Sequence, residues 1–275
     1  MTTIGPSPTQ LRFAGRPIDI PGTPESHWRE WLSSRTPADL AVTVDRLIVL
    51  GAHPDDEVLG VGGIMSIAAR AGVAVTVVCM SDGSGSHPGS ATVSPERLVM
   101  RRHLELDTAA TLLGLDRPRW HGLPDGELAA HHEAMCRIVD GYLDACGDES
   151  VAVLAVWSGD GHPDHEALGN CAREVCTRRG VSLWMYPIWM WHWATPGDDA
   201  VPWDRLRRAP LSPLEVAVKH AAVHAFASQV RPLSDDPADK AILPPHVLAH
   251  LTRPTEYVFT CCLLYTSPSP RDATL

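Results

Sequence analysis

The chain has 275 residues, of which 44% are hydrophobic and 20% are charged, and its formal net charge is -10 at pH 7. This length and apolar content suffice for one large globular domain, or for one domain with appendages. The acidic balance argues against non-specific binding to nucleic acid, which needs clustered lysine and arginine, and no run reaches the roughly 18 apolar residues of a membrane span.

The amino terminus and the cysteines indicate the cellular compartment. The first residues lack the basic and apolar regions of a signal peptide, so we expect a cytoplasmic protein. The seven cysteines form no C-x-x-C pair and fall mostly in apolar stretches, where a thiol behaves as a small hydrophobe. We therefore expect neither a disulfide framework nor a cysteine zinc site. Assembly into a homo-oligomer stays open.

The chain divides into an arm, a main domain and a tail. Residues 1–40 are predicted to form an arm and a short helix, because five prolines before residue 26 favour an extended surface segment and residues 27–34 have helical spacing. The main domain is predicted to cover residues 41–262. Residues 263–275 resemble translated linker sequence, and we assign them no function.

From residue 44 onward, apolar strands alternate with helical stretches. The predicted strands cover residues 47–50, 73–80, 119–122, 151–156, 182–186 and 257–264. The predicted helices cover residues 58–70, 95–113, 128–146, 163–179 and 214–229. Such alternation is typical of βαβ units with right-handed crossovers. We therefore expect an α/β, Rossmann-like three-layer fold with a mainly parallel central sheet.

Two clusters of imidazole and carboxylate groups follow predicted strands. The first, H-P-D-D-E, occupies residues 53–57, and the second, H-P-D-H, occupies residues 162–165. Ligands of open α/β sheets bind beyond the carboxyl ends of the strands, so the two loops can close one site. Two histidines and one carboxylate from these clusters would suit a catalytic zinc ion. Because Asp55 and Asp56 are adjacent, one can bind metal while the other faces the bound water.

This set of groups suits amide hydrolysis. The metal would lower the pKa of its water to roughly 7, and a nearby carboxylate would remove the proton. The remaining imidazole would protonate the leaving amine or stabilise the oxyanion. Fe²⁺ is an alternative to Zn²⁺, because sites of two histidines and one carboxylate accept several divalent ions.

The two motifs together resemble those of the PIG-L/LmbE-like zinc-dependent N-deacetylases. The resemblance rests on A-H-P-D-D-E after one strand and H-P-D-H after a later strand, and it extends over roughly residues 47–229. It implies removal of an N-acetyl group from an amino sugar or a related small glycoconjugate. It also implies that His53, Asp56 and His165 bind zinc and that Asp55 is the general base.

The resemblance implies further roles beside the metal. His162 would be the electrophilic or acid group, with Asp164 orienting it. Arg102 and Asp125 match positions that face sugar hydroxyls in enzymes acting on N-acetylglucosamine derivatives. Asp160 departs from the pattern, because the mycothiol-pathway enzymes carry a tyrosine at this position. That departure makes the mycothiol precursor a less expected substrate.

Several alternatives stay open. Arg102 and Glu105 can instead form an ion pair on an exposed helix face, and Asp125 can simply belong to a Pro-Asp-Gly turn. The tryptophan-rich segment 184–203 can form a wall or lid over the site, or belong to the core. Two rival functions are a nucleotide-binding transferase on a Rossmann-like sheet and a noncatalytic binding protein. The transferase is disfavoured, because carboxylates stand where a dinucleotide fingerprint needs glycines.

Overall fold

Apolar runs of the sequence form the central strands of an eight-stranded sheet in the computed structural model, which describes residues 5–261. The strands are β1 (Ala38–Asp39), β2 (Arg46–Gly51), β3 (Ala74–Ser81), β4 (Arg119–Leu123), β5 (Val151–Val156), β6 (Ser182–Tyr186), β7 (Leu206–Pro210) and β8 (Thr255–Cys261). Their order in the sheet is β1-β7-β8-β6-β5-β2-β3-β4. Within the run β6-β5-β2-β3-β4, each strand is parallel to its neighbours, whereas β8 is antiparallel to both β6 and β7.

Helices cover both faces of this sheet. They are α1 (Pro8–Ala14), α2 (Glu25–Ser33), α3 (Asp56–Arg70), α4 (Pro95–Leu112), α5 (His132–Asp144), α6 (Pro163–Arg179), α7 (Met190–Trp193), α8 (Pro213–Ala225), α9 (Ala227–Val230) and α10 (Pro245–Leu251). Helices α3 and α4 both pack against α8, whereas α5 and α6 pack against each other. The predicted Rossmann-like fold with a mainly parallel sheet is confirmed. Between residues 5 and 261, no helix is long and apolar enough to cross a bilayer.

The strand order reverses between β2 and β5. From β2 the chain proceeds outward in one direction, to β3 and then β4, and it then returns to the other side of β2 to form β5 and, beyond it, β6. Such a switch point leaves a crevice beyond the carboxyl ends of the strands, where open α/β sheets bind their ligands. The two motif-bearing loops follow β2 and β5, so both open into this crevice.

Helix α3 lies close to the sheet through its glycines. A Cβ atom on Gly60 would lie 2.2 Å from Cδ2 of Tyr186. The helix is irregular at Val61, where φ is -140°, and the amides of Gly63 and Ile64 donate to Glu256, each at 2.7 Å. These glycines therefore serve close packing and the kink, and they do not form a phosphate-binding turn before the helix.

The N-terminal region differs from the predicted extended arm. Helix α1 begins with a capping box, in which the Ser7 hydroxyl accepts from the amide of Gln10 and the Gln10 side chain accepts from the amide of Ser7. The first-turn proline that suggested an arm is tolerated at that position of a helix. Strand β1 and the fully buried Trp28 belong to the same sheet and core as the rest of the chain. The boundary predicted at residue 40 therefore does not separate two units.

Most other predicted elements occur within a few residues of their expected bounds. The helix predicted over residues 214–229 is split at Phe226 into α8 and α9. Strands β1 and β7 and helix α10 were not predicted, because they are short and flanked or interrupted by prolines. The predicted tail 263–275 lies outside the described residues, as does the end of the strand predicted over 257–264.

Candidate active site

The loop after β2 supplies one half of the site. Helix α3 begins at Asp56, and Oδ2 of this residue accepts a hydrogen bond of 2.8 Å from the amide of His53. This contact closes a tight turn that places both side chains on the same side. Asp55, between them, is 6% exposed and points elsewhere, towards Arg102. The expected divergence of the two adjacent carboxylates is therefore present.

The loop after β5 supplies the other half. Helix α6 begins at Pro163, with His162 as its N-cap residue, and its first turn carries the fully buried His165. Oδ2 of the fully buried Asp160 lies 2.8 Å from Nδ1 of His165. The same carboxylate accepts three backbone amide hydrogen bonds from residues 188–190, at 2.9 to 3.0 Å. Asp160 thus fixes the ring of His165 and joins the loop to the segment after β6.

The two loops bring together nitrogen and oxygen atoms of the kinds that bind metal ions. Nδ1 of His53 lies 3.2 Å from Nε2 of His165. The carboxylate of Asp56 lies 3.5 Å from the first nitrogen and 3.3 Å from the second. The ligand atoms of His53, His162 and His165 also lie within 4.8 Å of one another. Because Asp56 approaches both facing nitrogens, His53, Asp56 and His165 lie close enough together for the predicted set of two histidines and one carboxylate, with His162 beside them.

The electrostatics of the cluster favour a cation between these donors. Burial lowers the pKa of His53, but hydrogen bonds to Asp125, Asp164 and Asp56 raise it well above its usual value. Burial likewise opposes the shift at His165, yet the carboxylates beside it raise its pKa to about 9. Two buried imidazole nitrogens that face each other cannot both keep a proton without repulsion, whereas one divalent ion satisfies both. The residues present therefore fit a zinc-type metal.

Asp55 lies beside His53 and Asp56, but its carboxylate contacts Arg102 and makes no described hydrogen bond to an imidazole. Burial raises the pKa of its carboxyl group to about 7, although the guanidinium of Arg102, at 3.2 Å, and the neighbouring imidazoles oppose the shift. A general base works best when its pKa lies near the operating pH. The environment of Asp55 is therefore suited to taking a proton from water.

Arg102 is buried beneath this loop, with 2% of its surface exposed. Its guanidinium donates to the carbonyls of Gly83 and Pro54, at 3.0 and 3.2 Å, as well as to Asp55. The alternative of an exposed ion pair with Glu105 is wrong, because Glu105 accepts from the amide and hydroxyl of residue 228, at 2.8 and 2.6 Å. Arg102 therefore supports the loop and also lines the cavity above it.

Asp164 and Asp125 both orient His53. Their carboxylates lie 3.2 and 3.1 Å from Nε2 of His53, on the side of the ring away from Nδ1. The expectation that Asp164 orients His162 is corrected, because its described hydrogen bonds go to His53 and to the amides of residues 126 and 128. His162 instead accepts from the amide of Asp164 at 3.3 Å. Burial and the two neighbouring imidazoles lower the pKa of His162 to about 3.

A cavity of about 340 Å³ opens above these groups. Its polar wall includes Ser86, Arg102, Asp125 and Gln229. Of the tryptophan-rich segment 184–203, Trp189 lines the cavity, whereas Trp191 and Trp193 are buried in the core. The two alternatives for that segment, a wall of the site and a part of the core, are thus each correct in part.

The structure also assigns positions that the sequence did not suggest. Asp160 drew attention only as a departure from a family pattern, although a carboxylate in a glycine-flanked turn, five residues before a predicted ligand histidine, was a usable signal. Phe13 and Ile18 line the cavity from a segment predicted to lie on the surface. No local motif marks either residue, since only the folded chain brings them to the site.

The fold and the site together define the class of the protein, a Rossmann-like protein with a candidate metal centre of two histidines and one carboxylate at its switch point. Residues 48–176 match the family model described as PIG-L, GlcNAc-PI de-N-acetylase. That span contains both histidine motifs. This part of the chain is therefore similar to the PIG-L family, which agrees with the resemblance inferred from the sequence motifs.

Curated relatives of the chain are named as deacetylases. The chain is 27% identical over 278 residues to the 1D-myo-inositol 2-acetamido-2-deoxy-alpha-D-glucopyranoside deacetylase of Mycobacterium sp. strain KMS. This alignment covers 84% of this chain and 87% of the relative. It is 27% identical over 139 residues to the probable N-acetyl-alpha-D-glucosaminyl L-malate deacetylase 2 of Bacillus subtilis strain 168, covering 49% of this chain and 62% of that protein.

Solved structures share the fold. The A40926 pseudoaglycone deacetylase aligns with a TM-score of 0.57 and 24% identity, over 78% of this chain and 96% of that one. The N,N'-diacetylchitobiose deacetylase from Pyrococcus horikoshii aligns with a TM-score of 0.51 and 21% identity, over 66% and 70% of the two chains. The 4-carboxy-2-hydroxymuconate hydratase from Pseudomonas putida aligns with a TM-score of 0.51 and 21% identity, over 67% and 80%. The fold therefore carries more than one reaction, and the site has to decide between them.

Proposed function

We propose that the protein is a metal-dependent hydrolase that removes the N-acetyl group from an amino sugar or a related small glycoconjugate. The metal would be Zn²⁺, with Fe²⁺ as the alternative. One observation carries this proposal: Nδ1 of His53 faces Nε2 of His165 at 3.2 Å, with the buried Asp55 beside them at the base of the cavity. The names of the curated relatives support the same class of reaction.

His53, Asp56 and His165 would hold the metal. A divalent ion bound there supplies polarisation of the amide carbonyl and a lower pKa for a water molecule. Asp55 would take one proton from a water molecule in the site while the water oxygen forms a bond to the carbonyl carbon. When the C–N bond breaks, the same carboxyl group returns the proton to the leaving amine, so protons balance over the reaction.

His162 would stabilise the oxyanion that develops on the carbonyl oxygen. Its lowered pKa keeps the ring neutral near pH 7, and a neutral imidazole donates a hydrogen bond from one nitrogen. Its Nδ1 accepts from the amide of Asp164, which leaves the other nitrogen as the donor. Of the two roles implied by the resemblance, the structure favours the electrophilic one over storage of a proton.

The amino sugar would lie against the polar wall of the cavity. Asp125 lines the cavity and accepts from the amide of Gly85 at 2.9 Å, so its carboxylate is fixed and can accept further hydrogen bonds from hydroxyls. Arg102 lines the same wall, but three of its hydrogen bonds are made within the protein. We therefore assign Asp125 to direct contact with sugar and Arg102 mainly to holding Asp55.

The rival functions have weaker support. A nucleotide-binding transferase would need a phosphate at the N-terminus of α3, where Asp55, Asp56 and Glu57 are buried and would repel it. A noncatalytic binding protein would not need a buried carboxylate with a pKa near neutrality beside the metal-binding atoms. Replacing Asp55 separates this second rival from the hydrolase.

The test is release of acetate from a panel of N-acetylglucosamine conjugates, measured together with metal content. We expect Asp55→Asn to keep stoichiometric zinc and to lose about 10²- to 10⁴-fold in turnover, the usual share of a general base. Asp56→Asn should lose the metal as well, and His224→Ala, on the exposed face of α8, should change neither. Turnover by Asp55→Asn at the wild-type rate would refute the base assignment. A zinc-loaded wild type that releases no acetate from any conjugate would favour the binding protein.

A further inference from the structure

Helix α1 is attached directly to the loop that carries His162. The hydroxyls of Ser7 and Thr9 donate to the two carboxylate oxygens of Glu166, at 2.7 and 2.5 Å. Glu166 is 5% exposed and also accepts from the amide of Gly161 at 3.1 Å. Glu166 therefore joins the N-terminal helix to the turn before the H-P-D-H motif.

Helix α1 packs so closely on this loop that no side chain fits at Gly161. Gly161 has a φ of 91°, in the left-handed region that favours glycine. A Cβ atom on Gly161 would lie 2.7 Å from Cβ of Phe13 and 3.0 Å from the carbonyl oxygen of Thr9. The glycine thus gives the turn its conformation and also makes room for α1.

This attachment places apolar side chains in the cavity. The ring of Phe13 lies 5.4 Å from the ring of Trp189 and 6.2 Å from that of His162, measured between centroids. Apolar side chains from three separate segments form this wall: Phe13, Ile18, Ile188, Trp189, Ile242 and Leu243. All of them lie outside residues 48–176, the part of the chain that matches the family model.

The cavity is therefore divided into a polar wall and an apolar wall. A bare amino sugar carries hydroxyls on most of its edges, and those facing the apolar wall would lose water without gaining a partner, which is unfavourable. At about 340 Å³, the cavity lies at the lower end of the roughly 300–1,000 Å³ found for pockets that hold drug-sized ligands. The walls thus match a ligand that is polar at one end and apolar at the other.

We propose that the substrate is an N-acylated amino sugar with an apolar substituent, which packs against the wall formed by Phe13 and Trp189 while the sugar faces the polar wall. The proposal rests on the hydrolase function given above and specifies its substrate class. Phe13 then determines specificity, and α1 is part of the substrate site. The apolar substituent can be the aglycone or the acyl chain, and the test distinguishes the two.

The test compares kcat/KM for three substrates: methyl N-acetylglucosaminide, benzyl N-acetylglucosaminide and methyl N-hexanoylglucosaminide. We expect Phe13→Ala to lower kcat/KM for the benzyl or the hexanoyl compound about tenfold more than for the plain methyl compound, as for other losses of apolar contact in a pocket. The compound that is affected identifies the source of the apolar group. Leu11→Ala is the matched control, because Leu11 is on the same helix but 60% exposed.

Two further measurements keep the outcomes separate. Phe13→Leu retains an apolar side chain and should give intermediate values, which excludes a simple loss of folding. Equal effects of Phe13→Ala on all three substrates, or no effect on any, would overturn the proposal. If the zinc-loaded wild type hydrolyses none of them, the hydrolase function fails, and binding of the benzyl and methyl glycosides by calorimetry decides alone. About tenfold weaker binding of the benzyl compound to Phe13→Ala would then support the apolar wall, and unchanged binding would overturn it.

Discussion

Replacing Asp160 with asparagine tests whether this buried carboxylate controls the tautomer of His165. Oδ1 of Asp160 accepts from the amides of Ile188 and Met190, at 2.9 and 3.0 Å. Oδ2 accepts from the amide of Trp189 at 2.9 Å and lies 2.8 Å from Nδ1 of His165. An asparagine side chain has the same shape, but it can replace only one of these oxygens and puts an NH₂ donor in the place of the other.

The most favourable rotamer keeps the amide oxygen at the Oδ1 position. The NH₂ group then meets the amide of Trp189, which loses its acceptor, and Nδ1 of His165, which has to become an acceptor. The proton of His165 consequently moves to Nε2, the nitrogen that faces His53 and that a metal would need. Partners of this kind contribute about 10- to 100-fold to metal affinity. A buried donor left without a partner costs about 1–3 kcal/mol.

We therefore expect Asp160→Asn to bind zinc about 10- to 100-fold more weakly and to lose about 1–3 kcal/mol in the free energy of unfolding. Affinity is measured by competition with a chromophoric chelator, and stability by urea unfolding of the metal-free protein. Glu256→Gln is the matched control, because Glu256 also accepts two buried amides, from Gly63 and Ile64, and pairs with Lys219 at 2.7 Å. It should lose stability only. Wild-type zinc affinity in Asp160→Asn, or an equal loss in both variants, would refute the reasoning.

Two further predictions concern other buried charges. Arg102→Ala should reduce the free energy of unfolding by about 3–5 kcal/mol, since it removes the countercharge of Asp55 and the donor to two carbonyls. Urea unfolding measures this loss. Lost activity with unchanged stability would instead indicate that Arg102 contacts only the substrate. Burial alone would raise the pKa of Glu25, but hydrogen bonds from Arg253 and His250 hold it below its usual value. The ionised carboxylate therefore stabilises the protein at pH values above the usual pKa of a glutamate. This stabilisation is lost as the pH falls through the lowered pKa of Glu25. Glu25→Gln should be less stable than the wild type by about 1–3 kcal/mol at pH 7, with the difference disappearing in acid when urea unfolding is followed against pH; a difference independent of pH would contradict this assignment.

The sequence predicted the central fold because the information was local. Apolar runs such as those of β2 and β5 can be buried on both faces only in a covered parallel sheet, and the intervening helices supply the cover. The meeting of the two histidine motifs followed from the same fact, since the carboxyl ends of parallel strands share one edge. The edge strands β1 and β7 lack such runs, so only pairing in the folded sheet defines them.

The unpredicted parts of the site depend on contacts between distant segments. Nothing near Phe13 in the sequence indicates that Glu166, more than a hundred residues later, holds its helix against the cavity. Arg102 is a different case, because the signal was available: it lies four residues from both Leu98 and Leu106, which are buried on the same face of α4. Helical spacing therefore favoured a buried arginine, and the opposite charge at position 105 obscured it.

Five aspartates surround the candidate metal centre, and their neighbours give the same side chain different uses. Asp160 accepts three backbone amides and orients His165. Asp164 and Asp125 also accept amides and contact His53, and despite burial these donors hold the pKa of both carboxyl groups below its usual value. Burial also opposes ionisation of Asp56, but His165 holds its pKa well below the usual value. The carboxylate of Asp55 has the side chain of Arg102 as its described donor, and its pKa is raised to about 7. Because donors to the ionised form lower a pKa and burial raises it, the aspartate with the fewest donors is the one that retains enough basicity to take a proton.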